Sequence, residues 1–164
     1  MGVHELDFIA YVFGTAPRTV SCFATGSLTD ITGTDFPAAM AVNMSFDDGG
    51  VGHYLTTQID LLGMAGGRIL LTDASMTYTW GEGIVKIKKR DGSEETIETA
   101  TLKTEDPMTR EIRLFADAVR EGRPPEICAQ DGLRACAMAE AAELSAQTHQ
   151  TVKLPDDIVA PASE

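Results

Sequence analysis

Ala38-Ala39-Met40-Ala41-Val42-Asn43-Met44-Ser45-Phe46-Asp47-Asp48-Gly49-Gly50-Val51 is the stretch that decides the fold class. Met40, Val42, Met44 and Phe46 alternate with Ala39, Ala41, Asn43 and Ser45, a period of two that gives a strand one apolar face. Asp47-Asp48-Gly49-Gly50 then signals a hairpin, because Asp-Gly and Gly-Gly tolerate the positive φ of tight turns. The return strand is Val51 to Ile59, paired antiparallel with the first.

Strands continue on either side. Thr19 to Thr25 reads as a strand before the hairpin, with a polar loop from Thr29 to Asp35. After it come Arg68–Thr72, Met76–Trp80, Ile84–Lys89 and a weaker strand, Glu94–Ala100, with turns at Gly81-Glu82-Gly83 and Asp91-Gly92-Ser93. Val85 and Ile87 alternate with Lys86 and Lys88, so this region has one wet face. Helices sit at the two ends of the chain. Glu5 to Phe13 runs as a helix to Gly14. Asp106-Pro107 opens a second, Asp being a good N-cap and Pro fitting the first helical position. Its Met108, Ile112, Phe115, Ala116 and Val119 form an amphipathic stripe, and Gly122 with Pro124-Pro125 stops it. Asp131 is expected to cap the last helix, with a stripe of Leu133, Cys136, Ala137, Ala141 and Leu144. Thr151 to Leu154 closes the sheet. Grouped strands flanked by helices predict an α+β fold: an open, mostly antiparallel sheet with helices packed on one face. Residues 1–155 are expected as one domain and 156–164 as a flexible tail.

Composition narrows the function. The chain has 164 residues, 43% of them hydrophobic, with a net charge of −12 from 25 acids and 13 bases. Mean hydropathy is near zero. Lys86, Lys88, Lys89 and Arg90 are too small a basic footprint for nucleic acid. No apolar run approaches the ~20 residues of a membrane span, and the N-terminus lacks the pattern of a secretion signal. Cys22, Cys128 and Cys136 are odd in number and form no C-x-x-C, which favours reduced thiols and a cytoplasmic location over a disulfide or zinc framework.

The candidate chemistry lies at the front of the chain. In Met1-Gly2-Val3-His4-Glu5-Leu6-Asp7, a histidine and a carboxylate three residues apart share one helix face. Imidazole takes or gives a proton near neutral pH, and Asp7 can orient that ring or hold a substrate hydroxyl. The plain alternative is a helix-surface histidine with acids favoured at a helix N-terminus. The glycine runs do not read as a nucleotide site. Gly50-Val51-Gly52-His53-Tyr54-Leu55 lacks the third glycine, and Gly63-Met64-Ala65-Gly66-Gly67 leads into a strand rather than a helix. His53 and Tyr54 point to opposite faces of their strand, where either they or Gln58 could meet a pocket. With His149 after the last helix, the three histidines are too scattered for a metal site.

Taken in order, these pieces resemble the C-terminal domain of the Gfo/Idh/MocA oxidoreductases, the glucose–fructose oxidoreductase and inositol dehydrogenase family. The matching segments are Gly2-Val3-His4-Glu5-Leu6-Asp7 running to Phe13-Gly14, then Pro17 and Val20, then Asp106-Pro107 with Ile112 and Phe115. They continue with Glu121-Gly122-Arg123-Pro124-Pro125, Asp131-Gly132, Ser145 and Val152-Lys153-Leu154-Pro155. The resemblance implies a substrate-binding and oligomerisation domain whose sheet face joins copies of the chain. It implies His4 as acid/base on a sugar or polyol hydroxyl and Asp7 as a substrate contact. NAD or NADP is expected only with a Rossmann domain, which this sequence lacks. The aspartate of the family's Asp-x-x-x-His motif would lie four residues before His4, ahead of Met1. The expectation is therefore a half-enzyme that no longer turns over alone and may be completed by a separate N-terminal Rossmann polypeptide; the alternative is a stand-alone, non-catalytic binding module of the same fold.

Overall fold

The computed structural model describes residues 2–27, 30, 33, 35–63, 65–102 and 105–159. The fold is α+β with antiparallel sheets. Its strands divide into two four-stranded sheets, and the chain divides into two units, residues 1–59 with 126–164, and residues 60–125.

The first unit holds helix α1 (Val3–Phe13) and strands β1 (Thr19–Ala24), β2 (Ala39–Ser45) and β3 (Val51–Thr57). The deciding hairpin forms as read: Met40 pairs with Thr56, Val42 with Tyr54 and Met44 with Gly52. Val20 and Cys22 of β1 face the same side as Met44 and Val42. That side is the core, where Val20, Cys22, Met40, Val42, Met44 and Phe46 are all buried. The long helix α3 (Ala129–Thr148) and α1 lie on this face, and β8 (Val152–Lys153) pairs with β1 to give the order β3-β2-β1-β8. The opposite face carries Phe23, Val51 and Leu55, which are 71%, 73% and 64% exposed.

α3 begins earlier than expected and buries a different face. Cys128 is its N-cap, and Asp131 stands at the third helical position, where its Oδ2 accepts the Cys128 N–H at 2.8 Å. The buried side is Ala135, Met138, Ala141, Ala142 and Ser145, while Leu133, Cys136 and Leu144 are exposed. This helix is alanine-rich on most sides, so apolar periodicity alone does not single out one face. The half-buried and exposed positions of Cys128 and Cys136 correct their reading as buried hydrophobes; Cys22 alone is buried, and burial pushes its thiol pKa up.

The segment expected as tail begins with a turn of helix. In α4 (Asp156–Val159), Ile158 and Val159 are buried. Thr15 Oγ1 donates to the Val159 carbonyl at 2.5 Å, and Arg18 pairs with both Asp47 and Asp156. Two apolar side chains suffice to dock this segment on the core. Residues 160–164, and most of the loop expected over 29–35, lie outside the described residues.

The second unit holds β4 (Gly66–Leu70), β5 (Ala74–Thr79), β6 (Ile84–Lys89) and β7 (Glu94–Glu98), paired antiparallel in that order, and α2 (Pro107–Glu121). Direct cross-strand partners share a face. One face bears Ile69, Met76, Tyr78, Val85, Ile87 and Ile97, all half-buried; the other bears Arg68, Thr77, Lys86 and Thr96, all exposed. The alternation of Lys86 and Lys88 with Ile87 therefore marks a wet face. Asp106 caps α2 as expected, accepting the Thr109 N–H at 2.9 Å. Its apolar stripe is not buried: Met108, Ile112, Phe115 and Val119 are 59–67% exposed, and Ala118 is the buried position.

Candidate functional site

α1 carries the candidate site, and its ends are set by backbone chemistry. Leu6 N–H bonds to the Gly2 carbonyl at 3.2 Å, starting the helix. Gly14 takes φ +69°, and the Gly14 and Thr15 N–H groups close onto Tyr11 and Ala10, a glycine-terminated helix end. Glu5 stands in the first turn, where the helix dipole favours negative charge.

The depth at which α1 sits on the sheet depends on β3. Leu6 and Ala10 are buried in the core, with Ile9 and Phe13 packed against it. The Phe13 ring stacks on Phe46 at 3.8 Å with an interplanar angle of 14°. A Cβ at Gly50 would overlap Phe13 Cε1, and one at Gly52 would lie 3.0 Å from Ile9 Cγ2. Two strand residues without side chains thus let one helix side rest against β3. One step further along β3, the Tyr54 hydroxyl reaches the start of α1. A Cβ at Gly2 would overlap both that hydroxyl and a Glu5 carboxylate oxygen.

With the buried side held by Leu6 and Ala10, the opposite side of α1 is free. His4 and Asp7 are both exposed there, one turn apart. Among the described residues no hydrogen bond or ion pair engages either side chain. Tyr11 continues the same stripe and is 81% exposed. The i, i+3, i+7 spacing of His4, Asp7 and Tyr11 was available in the sequence. The approach of Tyr54 to Gly2 was not, since it depends on how the helix crosses β3.

The other candidates do not join this site. His53 faces away from the core, exposed, with Nδ1 2.9 Å from Asn43 Oδ1. Tyr54, on the core side, is half-buried. Gln58 is exposed. His149 ends α3 in the left-handed region at φ 58° and is exposed. Among the described residues no group of three or more His, Cys, Asp or Glu could hold a metal ion. Neither glycine run opens a helix: Gly49 and Gly50 make the β2–β3 turn, Gly52 faces α1, and Gly66 and Gly67 start β4. The described residues therefore do not fit a dinucleotide in the Rossmann manner, which needs a glycine turn between a strand and a helix N-terminus.

The family model for the C-terminal alpha/beta domain of the Gfo/Idh/MocA oxidoreductase family matches residues 1–154. The chain belongs to this family. Solved Gfo/Idh/MocA structures share the fold. An aldose–aldose oxidoreductase from Caulobacter crescentus, complexed with glycerol, is 16% identical, with a TM-score of 0.82 over 93% of this chain and 46% of its own. A UDP-N-acetylglucosamine 3-dehydrogenase from Acidithiobacillus ferrooxidans is 20% identical, with a TM-score of 0.75 over 87% of this chain and 45% of its own. An oxidoreductase from Agrobacterium radiobacter, in complex with NAD+, L-tartaric acid and magnesium, is 16% identical, with a TM-score of 0.77 over 93% of this chain and 47% of its own. The chain thus spans about half the length of the solved structures it matches. No curated protein matches the sequence.

Proposed function

We propose that this chain is the substrate-binding and oligomerisation domain of an NAD(P)-dependent oxidoreductase acting on a sugar or polyol hydroxyl, and that it does not turn over alone. The observation that carries the reading is the exposed α1 face. In a chain of this family, His4 and Asp7 stand together on the one side of the helix that the core does not use. His4 takes or returns the proton of the reacting hydroxyl, a role that suits imidazole at neutral pH. Asp7, one turn on, accepts a hydrogen bond from a neighbouring hydroxyl and fixes the ligand beside His4.

The nicotinamide cofactor belongs, in this reading, to a Rossmann domain on a separate polypeptide, because the glycines here support α1 and strand turns instead. The exposed sheet face of Phe23, Val51 and Leu55 supports association of copies of this chain, since broad apolar faces on a soluble protein are normally covered.

The test is reconstitution. The purified chain is expected to show no NAD(P)-dependent turnover, and a Rossmann polypeptide is expected to restore it. His4→Ala in the restored enzyme should lower kcat by about 10²–10⁴-fold, the range for loss of a general acid/base. Turnover by the chain alone would refute its incompleteness, and unchanged activity in His4→Ala would favour a non-catalytic binding module.

A further inference from the structure

The charge around the α1 face is one-sided. Residues 1–59 and 126–164 hold 13 of the 25 Asp and Glu but 3 of the 13 Lys and Arg. Those three bases are Arg18, Arg134 and Lys153. Arg18 is engaged by Asp47 and Asp156. Arg134 is buried, with Nη1 3.4 Å from Asp131 and Nε donating to the Ile158 carbonyl at 3.3 Å. Lys153 lies near enough to Asp47 to act on its charge. α1 itself contributes Glu5 and Asp7 and no base. An anionic ligand arriving at His4 would thus meet carboxylates and no free cation from this unit.

Tyr11 adds a second, independent feature. Leu6, Ala10, Ile9 and Phe13 put the apolar side of α1 into the core, yet this aromatic ring stands 81% exposed on the His4 and Asp7 side. A phenol ring offers an apolar face with a partial negative charge, which suits the C–H face of a sugar ring and also attracts an ammonium group.

We infer that Tyr11 determines specificity at this face, serving as the platform for an uncharged or amino-bearing sugar ring, and that the acidic surroundings select against carboxylated or phosphorylated sugars. The inference rests on the sugar-binding reading above and names its substrate class. Unpaired carboxylates repel an anion over about a Debye length, ~10 Å at 0.1 M salt, so the selection weakens as salt rises. Tyr11 touches nothing in the core, so its removal leaves the fold intact.

The test uses the purified chain and three probes: methyl β-D-glucopyranoside, D-glucosamine and D-glucuronate. Dissociation constants are read from amide shifts of residues 4–11 by NMR, at low and high salt. The neutral and amino sugars are expected to bind at least ten-fold more tightly than glucuronate at low salt, with the gap narrowing at high salt. Tyr11→Ala should weaken methyl glucoside binding at least five-fold, and Tyr11→Phe should restore it to within two-fold. Glucuronate binding as tightly as the neutral sugar overturns the charge selection. Tyr11→Ala binding as well as wild type overturns the platform, while leaving His4 and Asp7 as the site. Binding of none of the three probes by wild type overturns the sugar-binding reading itself together with this inference.

Discussion

Ser145→Ala should destabilise the first unit by about 1–3 kcal/mol, the usual cost of leaving a buried donor unsatisfied. The reasoning begins with the edge of β1. β8 pairs with β1 only at Thr19 and Val20, so Cys22 lies beyond its reach. The Cys22 N–H on that side is bonded instead by Ser145 Oγ of α3 at 2.9 Å, in a buried setting. Ser145 is 2% exposed and Cys22 3%, which leaves no open route for water to replace the hydroxyl. Alanine removes the acceptor with almost no change in packing volume, so nearly the whole effect is the orphaned N–H. At two to four degrees per kcal/mol for a chain of roughly this size, the melting temperature should fall by about 2–12 °C. Urea unfolding followed by far-ultraviolet circular dichroism gives the free energy. Amide hydrogen exchange locates it, and the Cys22 amide should lose more protection than its strand neighbours. Thr148→Ala on the same helix is the control: its hydroxyl bonds to the Leu144 carbonyl at 2.7 Å on the exposed side, and its loss should cost under about 0.5 kcal/mol. A Ser145→Ala effect as small as that control, with unchanged exchange at Cys22, refutes the account.

Asp47→Asn should narrow the acid stability of the chain. Hydrogen bonding to Arg18, with Nε–Oδ1 at 2.9 Å and Nη2–Oδ2 at 2.6 Å, holds the Asp47 carboxyl below its ordinary range. A depressed folded value stabilises the protein above the unfolded value of about 3.9, and the stabilisation is lost as pH falls through the folded value. The melting-temperature gap between wild type and Asp47→Asn should be constant above about pH 5 and shrink below about pH 4; a gap that persists undiminished to pH 2.5 counts against the pairing. Association is tested by sedimentation: the wild type should run as a dimer or larger at micromolar concentration, and Phe23→Asp should shift it toward monomer. A wild-type monomer removes the proposed role of the Phe23, Val51 and Leu55 face.

The fold was legible where one face of an element meets one environment. Met40, Val42, Met44 and Phe46 face the core and Asn43 does not, so a period of two was enough. α2 shows the opposite case. Met108, Ile112, Phe115 and Val119 were rightly grouped on one side, but periodicity reports that a face is apolar and not what lies on it. α3 failed differently. Its buried side includes Arg134 and Ser145, admitted because each satisfies a backbone group, Arg134 the Ile158 carbonyl and Ser145 the Cys22 N–H. Hydropathy scores both as outward-facing. Only a map of which backbone groups need partners places them inside.

The candidate site divides along the same line. His4 and Asp7 could be paired from sequence because a helix makes i and i+3 neighbours by local geometry alone. Tyr11 obeys the same rule, and its position opposite Leu6 and Ala10 follows once those two are known to be buried. Tyr54 over Gly2 required long-range packing. The glycines that bring it about, Gly50 and Gly52, first draw attention as a failed nucleotide motif. Their role is steric: Phe13 and Ile9 occupy the space their side chains would fill. That close approach fixes which side of α1 the sheet covers, and so leaves His4, Asp7 and Tyr11 together on the side that remains open. Larger residues at 50 and 52 would push α1 outward or rotate it about its axis. The register of the three side chains in the proposed site is thus set by two glycines on a neighbouring strand, which no reading of α1 alone could supply.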